Sequence, residues 1–158
     1  MSVKSKPILV GTLVACALGG VSWKLAWATP SMGVTTTIIS GPVMLDDLDL
    51  RSHGEEHDVK IKTKGPSDVY IVHNRIAPGG HTGWHSHPGV SFVTVRAGQA
   101  TEYHGDDLTP NIYPAGTGFT EEAGGVHLIQ NNGDTDLELV AFQLIPFKAP
   151  RRNDEPAP

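Results

Sequence analysis

The stretch Gly79-Gly80-His81-Thr82-Gly83-Trp84-His85-Ser86-His87-Pro88-Gly89 lies near the middle of the 158-residue chain. It leads directly into Val90-Ser91-Phe92-Val93-Thr94-Val95, a β-branched and aromatic run suited to a strand. On extended backbone alternate side chains share a face, so His85 and His87 project to the same side about 6–7 Å apart. Two imidazoles placed this way can both reach one ion, each at about 2.0–2.1 Å. A His-x-His pair alone is often a surface accident. Here Trp84 and Pro88 flank it and strong strand sequence follows, which favours a site. A third ligand has to come from another strand, and His127, within Val126-His127-Leu128-Ile129-Gln130, is well placed.

The rest of the chain reads as short strands divided by turn residues. Residues 34–40 (VTTTIIS) are β-branched, and Gly41-Pro42 interrupts them. Residues 57–62 alternate, with Val59 and Ile61 on one face and Lys60 and Lys62 on the other. Residues 68–76 form a strand ended by Pro78-Gly79-Gly80, and residues 99–103 return after Ala97-Gly98 as a hairpin arm. Short extended pieces at 111–114 and 119–122 follow. Asn131-Asn132-Gly133-Asp134 then turns residues 126–130 into a last long strand, 137–145. From Pro146 the sequence is Pro-rich and mixed in charge, which predicts a mobile tail. The 18 Gly and 12 Pro favour tight turns over helices. The length suits one domain. Many short strands at roughly 8–12-residue spacing predict an all-β closed barrel or two-sheet jelly roll.

The N-terminus has a different character. Lys4 and Lys6 precede an uncharged run, residues 8–21, and Ala26-Trp27-Ala28 supplies the small residues of a cleavage site. Residues 1–28 therefore read as a signal peptide, predicting a periplasmic or secreted protein. The alternatives are a membrane anchor through the uncleaved segment or a lipidated Cys16, which lies in Leu13-Val14-Ala15-Cys16. The segment holds three of the 12 Lys+Arg and none of the 17 Asp+Glu, so the remainder carries nine positive against 17 negative charges, net −8. Such a surface has no electrostatic footprint for nucleic acid, nor for membrane binding after signal cleavage. Cys16 is the only cysteine, so the cleaved chain has no thiol. Any metal must be held by His and carboxylates.

Taken together these residues resemble the cupin superfamily. Gly79, His85, His87, position 91 and Gly98 match the first cupin motif without a gap; Pro114, Gly116, His127 and Asn131 match the second. The motifs cover residues 79–131, and the flanking strands extend the likeness to about 34–147. Small bacterial single-domain cupins with a WHSHPG segment are the nearer resemblance. It implies a single-domain cupin-type β-barrel (a double-stranded β-helix, or jelly roll) over 34–147. A short tether at 29–33 would precede it and a flexible tail at 148–158 would follow. It also implies a mononuclear site holding one divalent transition metal ion (Fe, Mn, Zn, Cu or Ni), and a possible homodimer.

Two departures from the motifs matter. Position 91, where the motif carries a glutamate ligand, is Ser91, and a neutral hydroxyl does not replace an anionic oxygen. The segment ahead of His127 is also longer than in the family and contains Glu121 and Glu122. If Phe119 packs inward, alternation sends Glu121 inward and Glu122 outward. Glu121 is thus a candidate fourth ligand or a catalytic base beside the ion; the competing reading is a solvated acidic loop. His81, Trp84 and Ser91 are candidate pocket-lining residues. Tyr70, Tyr103, Phe92 and Phe142 are expected to fill the barrel, and His53, His57 and His104 to be solvated. His73 reads as a strand residue, and Arg75 and Arg96 as possible holders of an anionic substrate.

Three functions are compatible with this reading. One is a metal-dependent enzyme acting on a small-molecule substrate, with dioxygenase, isomerase or lyase chemistry implied by the resemblance. The second is a non-catalytic periplasmic protein binding a metal or small ligand. The third is a barrel with a vestigial site.

Overall fold

The computed structural model describes residues 28–158. The expected export segment, including Cys16 and the Ala26-Trp27 part of its cleavage site, lies outside the described residues. Within them the secondary structure is all β. The strands are β1 (Met32–Leu45), β2 (Asp49–His53), β3 (Asp58–Lys62), β4 (Ser67–His81), β5 (His85–Ser86), β6 (Val90–Ala97), β7 (Gln99–His104), β8 (Asn111–Pro114), β9 (Gly118–Glu121), β10 (His127–Gln130), β11 (Leu137–Pro146) and β12 (Asn153–Asp154).

The long strand β4 organises the sheet. One edge pairs with β1, from Val34↔Ile76 to Leu45↔Ser67, and the other with β11, from Leu137↔Ile76 to Pro146↔Ser67. Beyond β11 lie β6 and then β9; beyond the far end of β4 lie β10, β5 and β7, with β8 on β7. Every one of these pairings is antiparallel, and together they wrap into a nearly closed barrel. The β2–β3 hairpin forms a separate two-stranded sheet.

Period-2 alternation decides what fills the barrel. Val72 and Ile76 of β4, Val93 and Val95 of β6, and Leu137, Leu139 and Ala141 of β11 all point inward and are buried. Ala100 and Ile129 join them, and Val34, Tyr113 and Phe119 pack against the cluster. Burying each large aliphatic side chain stabilises the barrel by about 1.5–3 kcal/mol. Further along the same inner faces the lining turns polar, to Ser91 on β6, Gln143 on β11 and Glu121 on β9. The site is built at this polar end.

Three expectations are corrected here. Phe92 and Phe142 do not fill the barrel: they are 47% and 41% exposed and meet on its outer face, ring centroids 6.1 Å apart. Their strands are in phase with Ser91 and Gln143 facing inward, and alternation then sends both phenyl rings outward. Gly41-Pro42 does not end its strand, because pairing continues through register shifts and resumes at Val43↔Val69. The C-terminal segment is not a free tail: β12 pairs with β5 through Asn153↔Ser86 and Asp154↔His85. Edge strand β5 leaves ladder groups unsatisfied, and residues 153–154 satisfy them.

Candidate metal centre

His85, His87, Glu121 and His127 are brought together, all four buried, with one potential ligand atom from each lying within 4.8 Å of the others. His85 sits on β5 directly across from His127 on β10. His87 follows β5 and is held by a parallel bridge to Ala123, with the Gly124 N–H donating to the His87 carbonyl at 2.8 Å. The longer segment ahead of His127 therefore locks directly onto the His-x-His turn. Glu121 ends β9 and is paired with Ser91 of β6. The carboxylate absent at position 91 is thus supplied by the residue directly across the ladder. Phe119, two positions earlier, packs inward as alternation requires.

Each imidazole is fixed through its Nδ1 by a backbone carbonyl. His85 Nδ1 lies 2.9 Å from the Gly83 carbonyl, His87 Nδ1 2.8 Å from that of Arg151, and His127 Nδ1 3.0 Å from that of Gly125. A carbonyl only accepts, so each ring carries its proton on Nδ1 and turns the Nε2 lone pair inward. This tautomer control is the usual partner arrangement of metal-bound histidine. Gly83 makes its share possible: at φ 71° it occupies the left-handed region, and an added Cβ would run into the Thr29 carbonyl.

Glu121 faces two of these nitrogens, Oε2 at 3.2 Å from His87 Nε2 and Oε1 at 3.1 Å from His127 Nε2. With its proton on Nδ1, His127 Nε2 has none to share and is buried without a hydrogen bond. Lone pairs facing a carboxylate in a dry cavity require a cation between them, either a proton or a metal ion. Without a metal the proton is the answer. Burial opposes charge on His127, but Glu121 outweighs it and raises the imidazole above its ordinary value. Burial likewise opposes charge on Glu121, but His127 and His87 outweigh it and hold the carboxyl far below its usual range. Burial, then His127, Arg152 and His87, lowers His85 to about 2, so it stays neutral.

The donor set fits a divalent transition ion. Ligands at about 2.1 Å subtending a right angle lie about 3.0 Å apart, close to the two Glu121–imidazole separations. Three neutral imidazoles and one carboxylate leave such an ion with one net positive charge, where three imidazoles alone leave two.

The remaining expected residues fall as follows. Ser91 is fully buried beside the cluster and accepts a hydrogen bond from Gln143 Nε2 at 3.0 Å. His81 Nδ1 accepts from the Gly83 N–H at 3.1 Å, which braces the turn. Trp84 is half-buried, and its carbonyl accepts from the Glu155 N–H at 2.9 Å. His73 lies 3.4 Å from Glu138, away from the cluster. Arg75 pairs with Asp136 and Arg96 with Glu138 on the outer surface, so neither holds an anion at the site. His104 is not simply solvated: it is half-buried, 3.3 Å from the fully buried Glu102.

Two groups near the site have no counterpart in the expectations. Glu102 was detectable, since alternation puts it on the same face as the core residue Ala100. Arg151 was not. It lies in the segment read as a mobile tail, yet it helps line a cavity of about 40 Å³ with His85, His87, Glu121 and Gln143.

Several known proteins are similar to this chain, and the first two of the following support this class of fold. A cupin-domain family model matches residues 72–142. A cupin-2 domain protein of Rhodospirillum rubrum superposes with a TM-score of 0.54 at 13% identity, over 80% of this chain and 68% of that one. A cupin domain from Bordetella pertussis Tohama I covers 75% of this chain and 97% of its own at 20% identity, TM-score 0.49. An oxalate oxidase is similar at 23% identity and TM-score 0.45, over 50% of this chain and 46% of the oxidase, so this chain spans less than half of that protein. No curated protein matches the sequence. Fold and donor set together define a cupin-type barrel with a buried three-histidine, one-glutamate cluster that could hold a metal ion.

Proposed function

We propose that this protein is an exported metal-binding cupin whose single divalent transition ion is held by His85, His87, His127 and Glu121 and serves chemistry on a small molecule. One observation carries the reading: three imidazoles, each with its proton tied to a backbone carbonyl, gather with one carboxylate in a buried space, two of them holding Nε2 3.1–3.2 Å from its oxygens. Bound there, the ion would supply Lewis acidity or one-electron chemistry. The chain's own residues orient the imidazoles, exclude bulk water and keep Glu121 ionised. The Lys4/Lys6 start, the apolar run and Ala26-Trp27-Ala28 support export. The apolar outer face around Phe92 and Phe142 supports a homodimer.

The deciding experiment is elemental analysis of the purified full chain. About one equivalent of transition metal is expected, and it should be lost in His85→Ala/His87→Ala. A well-folded wild-type protein that takes up no metal would sink the proposal. The cover of the cavity beside the cluster by residues 151–155 favours a second reading, a non-catalytic metal- or ligand-binding protein. Metal-loaded protein that turns over none of a broad substrate panel selects that reading. Turnover abolished by His127→Ala selects the enzyme.

A further inference from the structure

Arg151 brings a positive charge to the cavity over the cluster and shares that cavity with a single carboxylate, Glu121. Its neighbour Arg152 pairs with Asp154, but among the described residues Arg151 makes no ion pair. Among the same residues its one side-chain hydrogen bond goes from Nη1 to Gln143 Oε1 at 3.1 Å. Gln143 is held in turn by donating to Ser91, which leaves its carboxamide oxygen toward the guanidinium.

The group is also rigidly presented. The β12–β5 ladder, the Ser86 hydroxyl donating to Glu155 at 2.7 Å and Arg152 Nη1 donating to the Thr82 carbonyl at 3.2 Å fasten the segment across the barrel mouth. The backbone that carries the guanidinium also supplies the carbonyl orienting His87.

Charge and size then define what the cavity takes. A dication, the Glu121 carboxylate and the Arg151 guanidinium sum to an excess of two positive charges, which a ligand must offset. A cavity of about 40 Å³ holds roughly three waters, at about 10–15 Å³ each. A displacing ligand therefore has only a few heavy atoms. The planar fork of a guanidinium matches a carboxylate in particular. We propose that Arg151 is the anion-recognition residue of this site and that its ligands are small carboxylates, seated between the guanidinium and the His–Glu cluster. This rests on the metal-centre reading above.

The test uses the full chain loaded with Co(II), with metal content measured in every sample and acetate titrated by calorimetry and visible absorption; acetamide is the neutral control. Wild type should bind acetate and show no response to acetamide at equal concentration. Arg151→Gln should weaken acetate binding about tenfold or more. Arg151→Lys, which keeps the charge and loses the fork, should fall between the two. Arg96→Gln, on the outer surface, should match wild type. Wild type that binds no cobalt fails the metal-centre reading itself. Cobalt bound with no acetate response, or with an affinity unchanged in Arg151→Gln, overturns this inference alone. If Arg151→Gln does not fold, an unchanged affinity in Arg151→Lys overturns it.

Discussion

Replacing Glu121 with Gln removes one negative charge from the cluster while preserving the shape of the side chain. Glu121 is 5% exposed and lies 3.1–3.2 Å from two imidazole nitrogens, so water cannot replace the lost charge. A dication and a carboxylate about 3 Å apart attract by about 11 kcal/mol at an effective dielectric of 20. The waters the ion surrenders offset most of this. Removing one partner of a buried charge pair costs about 3–5 kcal/mol net. That corresponds to a loss of about two to nearly four decades in metal affinity. Competition against a chromophoric chelator with Co(II) or Zn(II) measures it directly. The ladder position of Ser91 allows a second arm: since Ser91 pairs with Glu121, Ser91→Glu/Glu121→Ser returns the carboxylate from the opposite strand. This double variant should bind metal at least about tenfold more tightly than Glu121→Ser alone, recovering a good part of the pair energy. A Glu121→Gln affinity within threefold of wild type would refute the reasoning and reduce Glu121 to a hydrogen-bond partner of the imidazoles.

Further outcomes follow from the same geometry. In metal-free protein, thermal stability should peak near pH 6.5. His127, raised above 6.5, contributes stability that is present below that value and lost as the pH climbs through its folded pKa. His85, depressed to about 2, costs stability as the pH falls below 6.5, and Glu121, depressed below 4.5, loses its contribution at still lower pH. Saturating metal displaces the His127 proton and should abolish the decline on the alkaline side; Tm scans from pH 5 to 9 with and without metal check both arms. Gly83→Ala should destabilise the protein by at least about 1–2 kcal/mol in urea unfolding, because alanine must enter the left-handed region and meet the Thr29 carbonyl. If the proposed homodimer forms through the Phe92/Phe142 face, wild type should run as a dimer and Phe92→Ser/Phe142→Ser as a monomer in light scattering, without loss of metal, since both rings lie outside the barrel.

Local chemistry made much of this molecule legible before folding is considered. Residues 90–97 and 137–146 are β-branched and aliphatic over strand lengths and bounded by Gly, Pro or Asn, so their secondary structure follows from short-range sterics. The same-face geometry of His85 and His87, and the inward turn of Glu121 with Phe119, follow from a period of two, which is a property of any extended backbone. Period alone does not say which of the two faces is the inside. Phe92 and Phe142 are the more apolar choice for a core, yet the barrel takes Ser91 and Gln143, because the register of β6, β9 and β11 is set jointly with the strands that carry the imidazoles. Nor does composition reveal long-range partners. Residues 151–155 have the make-up of a solvated tail, and their place depends on the open edge of β5, about 70 residues away, whose unpaired backbone groups they satisfy. The residue types able to grip a cation were therefore written locally. That a carboxylate on one strand could stand in for the one missing at position 91, and that an arginine from the far end could face it, was decided only when the ladders closed.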